Sequence, residues 1–258
     1  VNRRWIAGLI GLGVVIAATS LALARRNTIT AIDRSEAQAV ATATSVATAA
    51  STATTATEQA GELVVYEYGT TGYEEIDALG GAEHTYPEQT FLTIRPGGCG
   101  QIYRWQAIEE RWTSWEVCDP GRMTIGKVDS FHSWFGSDDL QQYRCPVSTA
   151  YLPPPGITEW TFTCSAEDRA EETTATVIGD ETIDIGGVGI ETQHIRFATV
   201  LSGESTGTRV IDRWFAIDEP LLVKEVSSTE SDSTSLLGTV HYTEQYEMLL
   251  EDLSPVDE

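Results

Sequence analysis

Four cysteines, Cys99, Cys118, Cys145 and Cys164, fall into two pairs with the same separation of 19 residues. Zinc sites need close pairs such as Cys-x-x-Cys, and none is present, whereas two equal loops suit two disulfides. Three pairings are open, and the equal loops favour Cys99 with Cys118 and Cys145 with Cys164. Each bridge would stabilise the fold by roughly 3 kcal/mol on the loop-entropy account. Disulfides form on the oxidising side of a membrane, so this spacing places the domain outside the cytoplasm. Four buried free thiols in a cytoplasmic domain is the competing reading.

Other reactive side chains carry weaker patterns. Gly203-Glu204-Ser205-Thr206-Gly207 matches the Gly-x-Ser-x-Gly of serine hydrolases, with Asp212 and His241 following in chain order. That motif needs a sharp strand-to-helix turn. Here it lies between two strand-like runs and reads as a hairpin loop. His84, His132, His194 and His241 are scattered, with no His-x-x-x-His pair, and read as sheet or surface histidines. The acid pairs Glu74-Glu75, Glu109-Glu110, Asp138-Asp139 and Glu171-Glu172 lack the alternating spacing of a calcium loop and read as a solvated acidic face. No phosphate-cradling glycine motif is present. No catalytic residue, metal or cofactor is therefore assigned; a hydrolase, using His194 or His241 against a carboxylate, is the minor alternative.

The chain of 258 residues has a formal charge of −23. Nucleic-acid binding draws its affinity from Lys and Arg, so this balance argues against it. Charge is unevenly placed: residues 1 to 60 carry five arginines against three acids, and all the remaining acids belong to the rest of the chain. Residues 5 to 24 (WIAGLIGLGVVIAATSLALA) are uncharged and bracketed by Arg3-Arg4 and Arg25-Arg26. Twenty helical residues span roughly 30 Å, the thickness of a bilayer core. A single-pass anchor is the favoured reading, with the following domain outside the cytoplasm; secretion after cleavage near Ala24 is the alternative. Residues 39 to 57 use only Ala, Thr, Ser and Val, which cannot build a core and read as a disordered tether. The organisation expected is an anchor at 1–26, a flexible linker at 27–61, a disulfide-stapled β domain at 62–250 and an acidic tail at 251–258.

The elements that would hold these residues are strands. Segments 63–68, 90–95, 101–107, 111–117, 160–164, 174–178, 189–201, 208–217, 220–228 and 237–249 are short and rich in aromatic or β-branched residues, with turn residues between them. The expected fold is mainly β, an antiparallel curved sheet forming a half-barrel or sandwich. In the last segment Val240, Tyr242, Tyr246 and Met248 share one face and Thr239, His241, Thr243 and Gln245 the other, as one dry face requires. Trp214, Tyr242, Tyr246 and Met248 are the candidate apolar lining. Tyr103, Trp105, Trp112 and Trp115 cluster around the first cysteine loop, read as packing on its disulfide, as pocket lining, or as a stacking platform for glycan. Tyr151-Leu152-Pro153-Pro154-Pro155-Gly156 reads as a stiff edge loop.

Residues 186 to 254 combine a Gly186-Gly187 turn, a long strand ending at 199–201, Trp214-Phe215-Ala216-Ile217-Asp218 before Pro220-Leu221-Leu222, and Tyr242 onward to Leu253-Ser254-Pro255. This succession resembles the half-barrel of the LolA and LppX/LprG type of envelope proteins. The resemblance implies a curved sheet around a hydrophobic cavity and carriage of lipid or lipoprotein. It brings no catalytic motif. The function expected is thus a non-catalytic, membrane-tethered domain that binds a hydrophobic envelope component or a protein partner, with a glycan-binding or adhesive surface module as the alternative.

Overall fold

A computed structural model describes residues 29–51, 63–235 and 238–256. One helix, α1 (Arg34–Ser51), precedes thirteen strands: β1 (Val64–Ile76), β2 (Ala82–Thr85), β3 (Gln89–Pro96), β4 (Gln101–Ile108), β5 (Arg111–Asp119), β6 (Thr124–Trp134), β7 (Ser137–Arg144), β8 (Glu159–Ser165), β9 (Arg169–Ile185), β10 (Val188–Gly203), β11 (Ser205–Ala216), β12 (Leu222–Ser235) and β13 (Gly238–Leu250). Every strand from β3 to β13 is antiparallel to the next, β3 also pairs with β1, and β13 returns to β1 from Tyr68↔Leu250 to Ile76↔Tyr242. The ring closes as a 12-stranded barrel, with β2 a short flap on the end of β1. The half-barrel or sandwich expected from the sequence is therefore corrected: strand content and antiparallel order hold, but the sheet leaves no open face. Closure removes the two long edges that an open sheet would expose.

Alternation decides what lies inside. Along β9 Glu171, Thr173 and Ala175 are buried while Glu172 is exposed, and along β13 Glu244, Tyr246 and Met248 are buried while Gln245 and Glu247 are exposed. On these two strands those outward positions are charged or polar, with no continuous apolar band. A lipid-spanning barrel needs the reverse, an outward apolar band about 25 Å tall. Close approach of β1 to β13 requires a missing side chain at Gly72, where a Cβ would lie 2.3 Å from the Gln245 carbonyl oxygen and φ is +150°. Gly72→Ala is expected to cost about 2 kcal/mol or more, read as a lowered urea midpoint at unchanged slope.

Both disulfides pair as favoured, Cys99 with Cys118 and Cys145 with Cys164, and they mark the domain as extracytoplasmic. Their settings differ. The first ties the β3–β4 turn to β5, beside a well-registered ladder from Gln101↔Val117 to Ile108↔Arg111. The second sits at the weakest point of the ring, where β7 and β8 share one registered pair, Arg144↔Ser165. Below that point residues 149–151 take the place of a longer β7: Thr124 bridges Ala150, Ile125 N–H donates to the Thr149 carbonyl at 2.9 Å, and Trp160 Nε1 donates to the Ala150 carbonyl at 2.9 Å. Residues 149–151, just ahead of the Pro153-Pro154-Pro155 loop, thereby belong to the barrel wall.

Part of the segment read as a disordered tether is helical. Asp33 Oδ1 accepts from Glu36 N–H and Glu36 Oε2 accepts from Asp33 N–H, both at 3.0 Å, a reciprocal cap that overcomes the weak propensity of the Ala/Thr run. Ile32 and Ala37 pack on Val65 and Phe91 of the outer wall. No helix among the described residues is long and apolar enough to cross a membrane; the anchor expected at 5–24 lies outside them.

Candidate functional site

The barrel lumen is where charge and burial meet. Its centre at one end is Glu74 of β1, which is 0% exposed. Alternation puts Glu74 inward and Glu75 outward, so the acid pair is split between core and solvent. Glu74 Oε1 accepts from His84 Nδ1 at 2.8 Å, and Oε2 accepts from His132 Nδ1 and the Tyr242 hydroxyl, each at 2.9 Å. His84 lies flat on Trp134, with centroids 3.9 Å apart, which locks the ring in place. Arg111 of β5 reaches Glu244 of β13 at 2.8 Å, and Tyr86 donates to the same carboxylate at 2.6 Å. Burial alone would raise the Glu74 pKa, but the hydrogen bonds from His132 and His84 and the charges of His132 and Arg111 pull it down to about 2. Burial, together with the neighbouring Glu244 and Glu74 charges, holds the Tyr86 and Tyr242 hydroxyls far above their usual range, so they remain donors.

Two further ion pairs line the wall. Arg213 of β11 donates to Glu225 of β12 at 2.5 Å, and Glu225 also accepts from the Tyr246 hydroxyl. The Arg213 guanidinium lies over the rings of Tyr151 at 4.4 Å and Trp115 at 5.0 Å. Arg209 of β11 pairs with Glu171 of β9. Trp105 stacks on Tyr246 at 4.5 Å and meets Tyr86 edge-on at 5.8 Å, filling the space between the first two networks. What is left among these groups is a cavity of about 60 Å³, bounded by Arg111, Arg209, Arg213, Glu171, Glu225 and Ser227. Small-molecule sites run to about 300–1,000 Å³. A few waters fit; an acyl chain does not.

Of the four residues expected to line an apolar concavity, Tyr242, Tyr246 and Met248 do face the lumen together. Trp214 does not join them. It stands on the outer wall, stacked on His194 at 4.1 Å and donating from Nε1 to Glu181 at 3.1 Å. Arg213 and Phe215 take the inward positions on either side of it, so the strand register sends the indole out. The lining is also not apolar: Glu244 occupies the same parity as Tyr242 and Tyr246, a position legible from alternation alone. The aromatic cluster near Cys99 does not pack on the disulfide either, since Tyr103 and Trp105 point into the lumen and Trp112 points outward onto Phe131.

The hydrolase pattern finds no support in the geometry. Gly203-Glu204-Ser205-Thr206-Gly207 forms the tight β10–β11 turn, and the Ser205 hydroxyl meets that of Ser233 at 2.6 Å. His194 bridges Glu181 and Asp212, and His241 meets Asp232 at 2.9 Å, both on the outer wall. No protein-family model matches the chain, and no curated protein matches it. A solved structure similar to this chain is that of the hypothetical lipoprotein YmcC from Escherichia coli (K12), at 11% identity and a TM-score of 0.35, over 72% of this chain and 87% of that one. A likeness of that degree assigns no role.

Proposed function

We propose that this protein is a non-catalytic binding module, held at the outer side of the cytoplasmic membrane by residues 5–24, that engages a protein partner with the outer surface and rim of its barrel. The observation that carries this reading is the filled lumen. Three Arg–Glu pairs and an aromatic stack occupy the space in which a carrier would hold lipid, leaving about 60 Å³. Burying paired charges in a lumen is costly unless the surrounding shell is rigid, and such a core suits a scaffold better than a container that must open and refill. A glycan platform is less well supported, because each tryptophan among the described residues is buried or half-buried.

Native mass spectrometry of the full chain, with and without organic extraction, is expected to give one mass free of lipid. Photo-crosslinkers placed in cells at the outward positions Leu140 and Val200 are expected to yield a discrete protein adduct from at least one of them. Stoichiometric co-purified lipid, or crosslinking to lipid alone, would overturn the proposal.

A further inference from the structure

Resting on that reading, we infer that the unpaired edge of β7 is the docking site, and that it accepts an extended, basic segment of the partner as an added strand. β7 is bonded to β6 along its whole length, from Lys127↔Arg144 to Trp134↔Ser137. On its other side the only registered pair among the described residues is Arg144↔Ser165, because the chain leaves β8 directly after Ser165 and turns into β9. Residues 137 to 143 therefore offer a row of backbone donors and acceptors in an otherwise closed ring, the feature that strand addition requires.

Side chains give that edge a preference. Trp112, Phe131 and Leu140 lie side by side on the outer wall, through the pairs Trp112↔Phe131 and Phe131↔Leu140, and the first two rings stack at 5.4 Å. The row stops at the open edge with Leu140, which is 49% exposed. A hydrophobic residue of an added strand, placed opposite Leu140, would continue it. Asp138 and Asp139 directly precede Leu140, and Asp168 and Glu204 lie across the seam from Asp139, around Arg169. Arg169, the cation between the two sides, is already shared among Asp139, Asp168 and Glu204. Such surroundings favour Lys or Arg beside the hydrophobic residue. They disfavour a second copy of this chain, whose own β7 would set Asp138 and Asp139 against the same pair.

The test uses the full chain in detergent and three fluorescent octapeptides: one alternating Lys and Val, a second with Glu in place of Lys, and a third with a central Pro that removes a ladder donor. The Lys peptide is expected to bind, to slow amide exchange at residues 137 to 143, and to lose at least tenfold in affinity on conversion to the Glu or Pro form. Leu140→Lys should weaken it at least tenfold and Asp138→Asn with Asp139→Asn several-fold, with unchanged circular dichroism. Equal binding of all three peptides, protection confined to other strands, or a chain dimer protected at these amides would overturn the inference. A partner that crosslinks from Val200 and not from Leu140 would sink this site while leaving the binding-module reading intact; retained lipid would sink that reading instead.

Discussion

Glu74→Ala is expected to destabilise the barrel by about 3–5 kcal/mol, the cost of removing one member of a buried charge network. Three groups lose an acceptor at once, His84, His132 and the Tyr242 hydroxyl, and Arg111 loses a negative charge 3.9 Å away while keeping Glu244. His84 cannot turn to solvent, because its ring is buried and pinned flat against Trp134. The network also has a pH signature. The Glu74 carboxyl ionises at about 2 in the folded chain against 4.5 ordinarily, so the unfolded chain binds the proton more tightly. Its contribution is complete above about pH 4.5 and disappears as pH falls toward about 2, where protonation favours unfolding. Urea denaturation between pH 2 and 6 is expected to show the wild-type midpoint falling across that window and a Glu74→Gln variant falling less. Parallel profiles for the two proteins would mean that Glu74 is not the group that titrates.

Joint replacement of Cys145 and Cys164 by Ser is the second large effect, about 2–5 kcal/mol. The two disulfides close loops of the same length, 19 residues, so loop entropy alone predicts equal losses for the two bridges. Any difference must come from what else holds each place together. Around Cys99 and Cys118 the β4–β5 and β5–β6 ladders persist without the bridge. At Cys145 and Cys164 the other ties across the seam are the single Arg144↔Ser165 pair, the Arg169–Asp139 ion pair at 3.2 Å, the Trp160–Ala150 hydrogen bond and the packing of Tyr151 against Phe197 at 5.3 Å. The Cys145→Ser/Cys164→Ser variant is expected to be the less stable of the two double variants. Its amide exchange should accelerate selectively in β7, β8 and the intervening loop. Uniform acceleration around the ring would show that the seam is no weaker than its neighbours.

How much of this could be read from residues alone differs between the wall and the lumen. Strand positions were legible because pleating imposes a period of two, so Tyr242, Tyr246 and Met248 could be placed on one face without coordinates. The same rule places Glu244 among them and puts Glu74 and Glu75 on opposite faces. Reading adjacent acids as one solvated surface set aside that parity, and the buried carboxylates were missed for that reason. Trp214 was misplaced for a related cause: its apolar character suggested an inward position, while the register of Arg213 and Phe215 assigns the interior to its neighbours. Arg111 and Arg213 carried no local signal, since an inward arginine is recognisable only once its carboxylate, supplied by another strand, is known.

The amino-acid sequence by itself determined a run of antiparallel strands, and its cysteine spacing favoured two equal disulfide loops, one of three open pairings, and with them an oxidising compartment. Each of these follows from composition, spacing or alternation over a few residues. Only the tertiary structure decided that β13 bonds to β1 and closes the ring, because that contact joins segments more than half the chain apart and depends on the accumulated twist and stagger of every strand between them. Closure then completed the lumen. Neighbouring strands already pair Arg213 with Glu225 and Glu74 with His84; closure adds the contacts across the lumen, Arg111 of β5 with Glu244 of β13 and His132 of β6 with Glu74 of β1, which fill the interior with paired charge.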